Sequence, residues 1–212
     1  MKIIVFGASG RMGIKVVEQA LEAGHRITAF LRTPSKITIQ HPNLTLFQGD
    51  VMDAAAVENA IAGHEVVISV LGPARPPVPG MLHMMETAAK NIVIAMQKYG
   101  IHRIISTSGA GVPQPEDHPK VADHLVSAML NLLEKNYVLD ASANVKVIQI
   151  SDLDWTIVRF PRVMDGAHTG KYRVANIGKD SGTKISRADG ADFVLKELTE
   201  KKWLRKAPVV SY

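Results

Sequence analysis

Cysteine is absent from this sequence of 212 residues, aromatic residues are scarce, and no long apolar run occurs. Without cysteine the chain cannot form disulfides, thiolate metal sites or a cysteine nucleophile. Aromatic residues make up 5% of the chain, which disfavours a platform for stacking unpaired bases. No apolar segment approaches the roughly 18–20 residues of a membrane-spanning helix. Because glycines begin at Gly7, no signal-peptide core develops at the start, and we expect a cytoplasmic protein without a membrane contact.

The charge balance is basic, with 25 Lys and Arg against 20 Asp and Glu, but the basic residues are dispersed. One cluster, Lys201, Lys202, Arg205 and Lys206, is interpreted as a solvated helix end rather than a nucleic-acid surface. The eight histidines show no spacing typical of metal ligands. We therefore expect no metal and no nucleic acid, and a small-molecule acceptor as the partner of a monomer or homodimer.

Short apolar runs alternate with amphipathic segments along the chain, which is typical of a parallel sheet covered by helices. The pattern predicts a single α/β domain over residues 1–212, a Rossmann-like doubly wound parallel sheet. The predicted strands cover residues 2–7, 26–31, 44–47, 65–71, 102–107, 155–160, 171–177, 183–185 and 207–210. The predicted helices cover residues 12–23, 54–62, 81–99 and 187–199, with one or two more within 117–151.

Three glycines, Gly7, Gly10 and Gly13, follow the first strand and open the first helix. Glycine permits the tight turn and the close backbone approach that a pyrophosphate needs, and a helix N-terminus offers free N–H groups to it. The spacing alone is weak evidence, but in a strand–turn–helix context it predicts a dinucleotide site.

The end of the second strand distinguishes the two nicotinamide dinucleotides. Arg32 stands nineteen residues after Gly13, Ser35 and Lys36 follow, and no acid occurs between residues 23 and 48. A guanidinium there accommodates the 2′-phosphate of NADP, whereas an acid would bind the ribose hydroxyls of NAD. We therefore predict NADP(H) as the cofactor. Asp50, which closes the third strand, either accepts from the adenine amino group or caps the next helix.

Further stretches occur in an order and at spacings that resemble a known family. They are VFGASGRMG, ITAFLRTPSK, FQGDVMD, AGHEVVISVLG, AAKNIVIAMQKYGIHRIISTSGAG, DWTIVRFP, TGKYRV and ISRADGADFVL. On these stretches the chain resembles the atypical short-chain dehydrogenase/reductase superfamily, in its NAD(P)H-binding, NmrA-like group. Within that group it most resembles the biliverdin-IXβ reductases, which are also NADPH-dependent flavin reductases.

The resemblance implies a role for each matching position. It places the pyrophosphate on Gly7, Ser9, Gly10, Arg11 and Met12, and the 2′-phosphate on Arg32, Ser35 and Lys36. It places the adenine by Asp50 and Val51, the ribose by Leu71 and Gly72, and the nicotinamide by Thr107, Ser108, Phe160, Pro161, Arg162 and Val163. The substrate pocket is expected from residues 73–82, 108–124 and 160–182.

Two departures shape the expected activity. Short-chain dehydrogenases generally use a Tyr-x-x-x-Lys pair, but Tyr137 is followed four positions later by Ala141, and no other tyrosine has the lysine. Arg162 stands where the biliverdin reductases have a histidine, and an arginine binds anions but does not donate a proton.

We therefore predict a reductase that passes hydride to a small conjugated acceptor such as a flavin, quinone or tetrapyrrole. Ser108 and Arg162 are the candidate catalytic residues, although Ser108 alternatively makes only strand-end hydrogen bonds. A redox sensor of the NmrA-like kind, which binds NADP(H) without turnover, is the alternative function.

Overall fold

The computed structural model describes residues 1–72, 83–119 and 134–212 of the chain. Within these ranges eight strands form one sheet and two further strands form a small second sheet. The strands are β1 (Lys2–Phe6), β2 (Arg26–Leu31), β3 (Leu44–Gln48), β4 (Val66–Ser69), β5 (Arg103–Gly109), β6 (Asp154–Phe160), β7 (Arg162–Met164), β8 (Arg173–Ala175), β9 (Lys184–Ser186) and β10 (Val209–Ser211). The helices are α1 (Arg11–Glu22), α2 (Ala54–Ile61), α3 (Met84–Lys98), α4 (Lys135–Gln149) and α5 (Arg187–Glu200).

The strand order of the large sheet is β3-β2-β1-β4-β5-β6-β10-β8, and only β8 runs antiparallel to its neighbour. The chain moves outward from β1 to β3 and then returns to β4 on the other side of β1. This reversal leaves a crevice at the carboxyl ends of β1 and β4, which is where open α/β sheets bind ligands. The β7·β9 pair forms the second sheet beyond the end of β6.

Helices cover both faces of the large sheet because the central strands are apolar on both sides. On one face, α2, α3 and α4 pack against strand residues such as Phe6, Ile104 and Ile157. On the other, α1 and α5 pack against residues such as Val5 and Ile105. Neighbouring residues of a strand, such as Val5 and Phe6, therefore lie in different cores, because successive side chains of a strand point to opposite faces of the sheet.

The α/β fold predicted from the sequence is confirmed, and most element boundaries agree within two residues. The prediction missed β7, which is a three-residue strand without an alternating pattern of its own. Parts of the predicted pocket, residues 73–82 and 120–124, lie outside the described residues, as do residues 81–82 of the predicted third helix. None of the helices in the described ranges is long and apolar enough to cross a membrane.

A fully buried carboxylate, Asp189, anchors the segment before β8 to α5. Its oxygens accept hydrogen bonds from the backbone N–H groups of Thr169 (2.7 Å) and Gly170 (2.8 Å) and from the hydroxyls of Thr169 (2.7 Å) and Tyr212 (2.7 Å). Burial alone would raise the pKa of Asp189, but these donors stabilise the carboxylate and lower the pKa to about 2.

We predict that Asp189→Asn lowers the free energy of unfolding by about 2–3 kcal/mol at pH 7. The NH₂ group of the asparagine would face N–H and O–H groups that now donate to the carboxylate, so some of these hydrogen bonds would be lost. The native pKa lies below the unfolded value, so Asp189 stabilises the fold above pH 4 and that contribution disappears as the pH falls toward 2. Urea unfolding at pH 7 and pH 3 should show a smaller difference between the variant and the parent at pH 3. Asp180→Asn is the control, because the Asp180 side chain is 76% exposed. An equal deficit at both pH values would contradict the prediction.

Candidate functional site

The glycine loop between β1 and α1 leaves a cradle without side chains at the carboxyl edge of the sheet. Gly7 has a φ of +80°, and a Cβ there would lie 2.8 Å from the carbonyl oxygen of Val70. A Cβ on Gly13 would lie 2.2 Å from the carbonyl oxygen of Gly7. Gly10 precedes α1, and within the described residues no side chain caps that helix end. The N-terminus of α1 is therefore open to an anion, as a pyrophosphate site requires.

Two predicted cations lie at the end of β2, next to this loop. β2 pairs with β1 in register from Arg26 to Phe30, so both strands end at the same edge of the sheet. Arg32 directly follows β2, and a 3-10 turn at Pro34–Lys36 places Ser35 and Lys36 nearby. All three side chains are exposed at this edge.

The end of β3 corrects one of the two hypotheses for Asp50. The residue that caps α2 is Asp53, whose Oδ1 accepts hydrogen bonds from the backbone N–H groups of Ala55 (2.9 Å) and Ala56 (3.2 Å). Asp50 instead accepts from the N–H of Met52 at 2.9 Å, which closes a local turn. The capping hypothesis for Asp50 is therefore wrong, because the chain makes one further turn before α2 begins.

The other residues that the sequence places along the dinucleotide range from buried to exposed. Val51 belongs to the core, since only 8% of it is exposed. Leu71 is half-buried against the same core, and Gly72 is exposed beyond the end of β4. Met12, at the start of α1, reaches α5, where a Cβ on Gly190 would lie 2.9 Å from its terminal methyl group.

The carboxyl ends of β5 and β6 bring the nicotinamide candidates together. β5 pairs with β6 so that Gly109 lies opposite Phe160. Thr107 Oγ1 donates a weak hydrogen bond to the carbonyl of Ser69 at 3.5 Å. Ser108 Oγ is buried and has no hydrogen-bond partner among the described residues. A buried hydroxyl in that condition is a group that a bound ligand can satisfy.

Tyr137, in the first turn of α4, reaches the same edge. A Cβ on Gly109 would lie 3.6 Å from its hydroxyl. Tyr137 packs against the core that contains Ile104, and by the alternation of a strand Ser108 faces that side as well. In the sequence Tyr137 gave no functional signal, because Ala141 stands four positions later instead of the lysine of the Tyr-x-x-x-Lys pair. Its place in the segment 117–151, where the sequence predicts helix after the strand that carries Ser108, is the signal that could have identified it.

A buried ion pair holds the loop after β5. The Arg159 guanidinium is completely buried and donates to both oxygens of Asp117, each at 2.7 Å. Asp117 also accepts from the backbone N–H groups of Gln114 (2.9 Å) and Ile177 (3.1 Å). Burial alone would raise the pKa of Asp117, but the hydrogen bonds and charge of Arg159 lower it overall. Nothing in the sequence indicates this pair, because Asp117 lies in the loop after β5 and Arg159 lies on β6, 42 residues later.

Other predicted residues lie outside these contacts. Arg162 is exposed at the start of β7, and Val163 packs inward. Pro161 is half-buried between β6 and β7. His118, in the loop after β5, is exposed, whereas position 124 lies outside the described residues.

Comparisons with known proteins show the family to which the chain belongs. A family model described as NAD(P)H-binding matches residues 7–201. The uncharacterized protein YwnB of Bacillus subtilis is 29% identical over 212 residues, which covers 93% of this chain and 92% of YwnB. Longer curated dehydrogenases and reductases match at 30% identity, and the chain spans about a third of their length.

Two solved structures share the fold at low sequence identity. A short-chain dehydrogenase/reductase from Veillonella parvula in complex with NADP superposes with a TM-score of 0.80 and 21% identity, over 100% of this chain and 94% of its own. ChuY, an anaerobilin reductase from Escherichia coli O157:H7, has a TM-score of 0.80 and 22% identity, over 100% of this chain and 97% of its own. The chain therefore belongs to the NAD(P)H-binding family and has a Rossmann-like α/β fold.

Proposed function

We propose that this protein is an NADPH-dependent reductase that transfers hydride to a small conjugated acceptor such as a flavin, quinone or tetrapyrrole. The observation that carries the proposal is the buried hydroxyl of Ser108, which has no partner in the described ranges and lies where β5 ends. The ligand crevice of a doubly wound sheet is at this edge. A hydroxyl held there is suited to orienting a nicotinamide or an acceptor carbonyl.

The choice of NADP over NAD rests on charge at the end of β2. Arg32, Ser35 and Lys36 are exposed together next to the glycine loop, and the sequence has no acid between residues 23 and 48. A guanidinium and an ammonium there favour a 2′-phosphate, and no carboxylate in that stretch opposes it.

The remaining residues would hold the dinucleotide along the edge. The glycine loop and the N-terminus of α1 would bind the pyrophosphate, with Ser9 and Arg11 beside it. Asp50 would accept from the adenine, and Gly72 would allow the ribose to approach the backbone. Phe160 and Pro161 would form the wall opposite Ser108. When bound, NADPH supplies the hydride.

A conjugated acceptor suits a site without the Tyr-x-x-x-Lys pair. Such an acceptor spreads the transferred electrons over its rings, so water can complete the protonation after hydride arrives. Tyr137 at the same edge is not followed by a lysine four residues later, the arrangement that short-chain dehydrogenases generally use for proton transfer. Arg162 lies two residues beyond β6 and would bind an anionic group of the acceptor. It would not donate the proton, because a guanidinium stays protonated.

The test is NADPH oxidation by the purified protein against free flavins, quinones, linear tetrapyrroles and anaerobilin, which ChuY's name indicates as an acceptor. Turnover with any of them supports the reductase function and ranks the acceptor classes. Tight NADPH binding without turnover across the panel would reject it in favour of a redox sensor, and partner proteins would then be sought.

We expect Ser108→Ala to lower kcat/KM for the acceptor about tenfold, since one hydrogen bond at the reacting edge is lost. Affinity for NADP⁺ should change less. Steady-state kinetics and a binding titration separate the two effects. Ser106→Ala, two residues earlier on the same face of β5, is the matched control because Ser106 is buried inside the strand. Equal losses in both variants would assign Ser108 a structural role only.

A further inference from the structure

The small β7·β9 sheet lies just past the carboxyl end of β6 and carries two cations side by side. In its parallel register Arg162 is opposite Lys184 and Val163 is opposite Ile185. Ile185 is completely buried and Val163 packs against the same core, so these two residues face inward. Neighbouring residues along a strand face opposite sides. Arg162 and Lys184 therefore share the outward side, and both are exposed.

The backbone around this pair is held in place. The N–H of Arg162 donates to the carbonyl of Thr183 at 3.2 Å, and the N–H of Tyr212 donates to the carbonyl of Lys184 at 2.9 Å. The N–H of Ala110 donates to the carbonyl of Phe160 at 2.8 Å, which links β6 to the loop after Ser108. The two cations thus project from a connected framework next to the proposed acceptor edge.

Neither cation has an acidic partner in the described part of the chain, although acids are close in sequence. Four acids occur between residues 161 and 192, and each is held by another group. These pairs are Asp165 with Arg187, Asp180 with Arg173, Asp189 with Thr169, and Asp192 with Tyr172 and Lys196. Two like charges on adjacent strands repel each other, and an anion placed between them relieves that repulsion.

We propose that Arg162 and Lys184 together form an anion subsite that selects conjugated acceptors carrying a phosphate or carboxylate group. This inference rests on the proposed function, and it adds Lys184 as a specificity-determining residue. The guanidinium supplies a planar pair of donors and the ammonium a point charge, a combination suited to either oxyanion. Neither residue moves a proton, so the subsite acts on acceptor affinity rather than on the hydride step.

Flavin mononucleotide and riboflavin test the proposal, because they share the reacting ring and differ by a phosphate. We expect the parent protein to prefer flavin mononucleotide, both in kcat/KM and in equilibrium binding in the presence of NADP⁺. Lys184→Ala should reduce that preference about threefold to fivefold, the usual size of an exposed charge contact. Lys184→Glu should reduce it further, since the new carboxylate would pair with Arg162. Arg162→Ala should act in the same direction.

Lys146→Ala is the matched control, because Lys146 is an exposed lysine on α4 and far from β9 in the fold. Equal affinity for NADP⁺ in all variants shows that each one folds. Carboxylated tetrapyrroles and their methyl esters separate a carboxylate preference from a phosphate preference. An unchanged flavin preference in Lys184→Ala and Lys184→Glu, or no binding of either flavin, overturns the subsite. Loss of turnover with an intact preference in binding would instead reject the reductase function alone.

Discussion

Replacement of Arg32 by glutamate is expected to weaken NADPH binding about 100-fold or more, while NADH binding changes less than about threefold. The two cofactors differ only in the 2′-phosphate, which we place beside the exposed Arg32 side chain at the end of β2. The change removes charge-assisted hydrogen bonds and puts a carboxylate against a phosphate. NADH has hydroxyls at that position, and a carboxylate can accept from them.

The measurement is a direct titration of both cofactors, because it does not depend on knowing the acceptor. Arg26→Glu is the matched control, since Arg26 is an exposed arginine at the opposite end of the same strand. It carries the same charge change away from the carboxyl edge and should leave both affinities nearly unchanged. An equal loss of NADPH and NADH affinity in Arg32→Glu would exclude a 2′-phosphate contact.

The largest stability effect is expected at Arg159. Replacing it by methionine should lower the free energy of unfolding by about 3–5 kcal/mol, because Asp117 would remain buried without its countercharge. The Asp117 side chain is 6% exposed, so water cannot replace the two lost hydrogen bonds. The carbonyls of Val112 (3.1 Å) and Ala207 (2.7 Å) would also lose their donors.

Urea unfolding followed by tryptophan fluorescence measures this effect, since Trp155 lies on the same strand as Arg159. The double variant Arg159→Met with Asp117→Asn should recover part of the loss, because no unpaired charge is then buried. Arg162→Met, two residues beyond β6 and exposed, is the single-site control. A loss below about 1 kcal/mol for Arg159→Met would show that the pair contributes little.

The sequence alone was sufficient for the parts of this protein that depend on local order. Backbone geometry requires glycine at positions 7 and 13 and leaves little room for a side chain at position 10, so the glycine spacing is visible in the chain. Strands buried on both faces appear as continuous apolar runs, and amphipathic segments of helical period separate them. The fold follows from these patterns, and a dinucleotide site at the carboxyl edge of the sheet is predicted from them.

Contacts between distant segments could not be found in this way. Arg159 and Asp117 are 42 residues apart, and neither has a neighbour in the sequence that reveals the other. Arg162 was a candidate from the sequence, but its register partner Lys184 appears only once β7 pairs with β9. The cap of α2 is a local correction: Asp53 caps the helix and Asp50 does not, because a turn closed by Asp50 and Met52 lies between Asp50 and α2.

The distinction has a physical reason. Backbone geometry and hydrophobic period act over a few residues, so they leave repeated patterns that can be recognised along the chain. Side-chain charge and hydrogen bonding act through space, and their partners depend on which strands lie side by side. Only the folded chain therefore shows that, among the described residues, the Ser108 hydroxyl has no hydrogen-bond partner, and that Arg162 and Lys184 share one outward face.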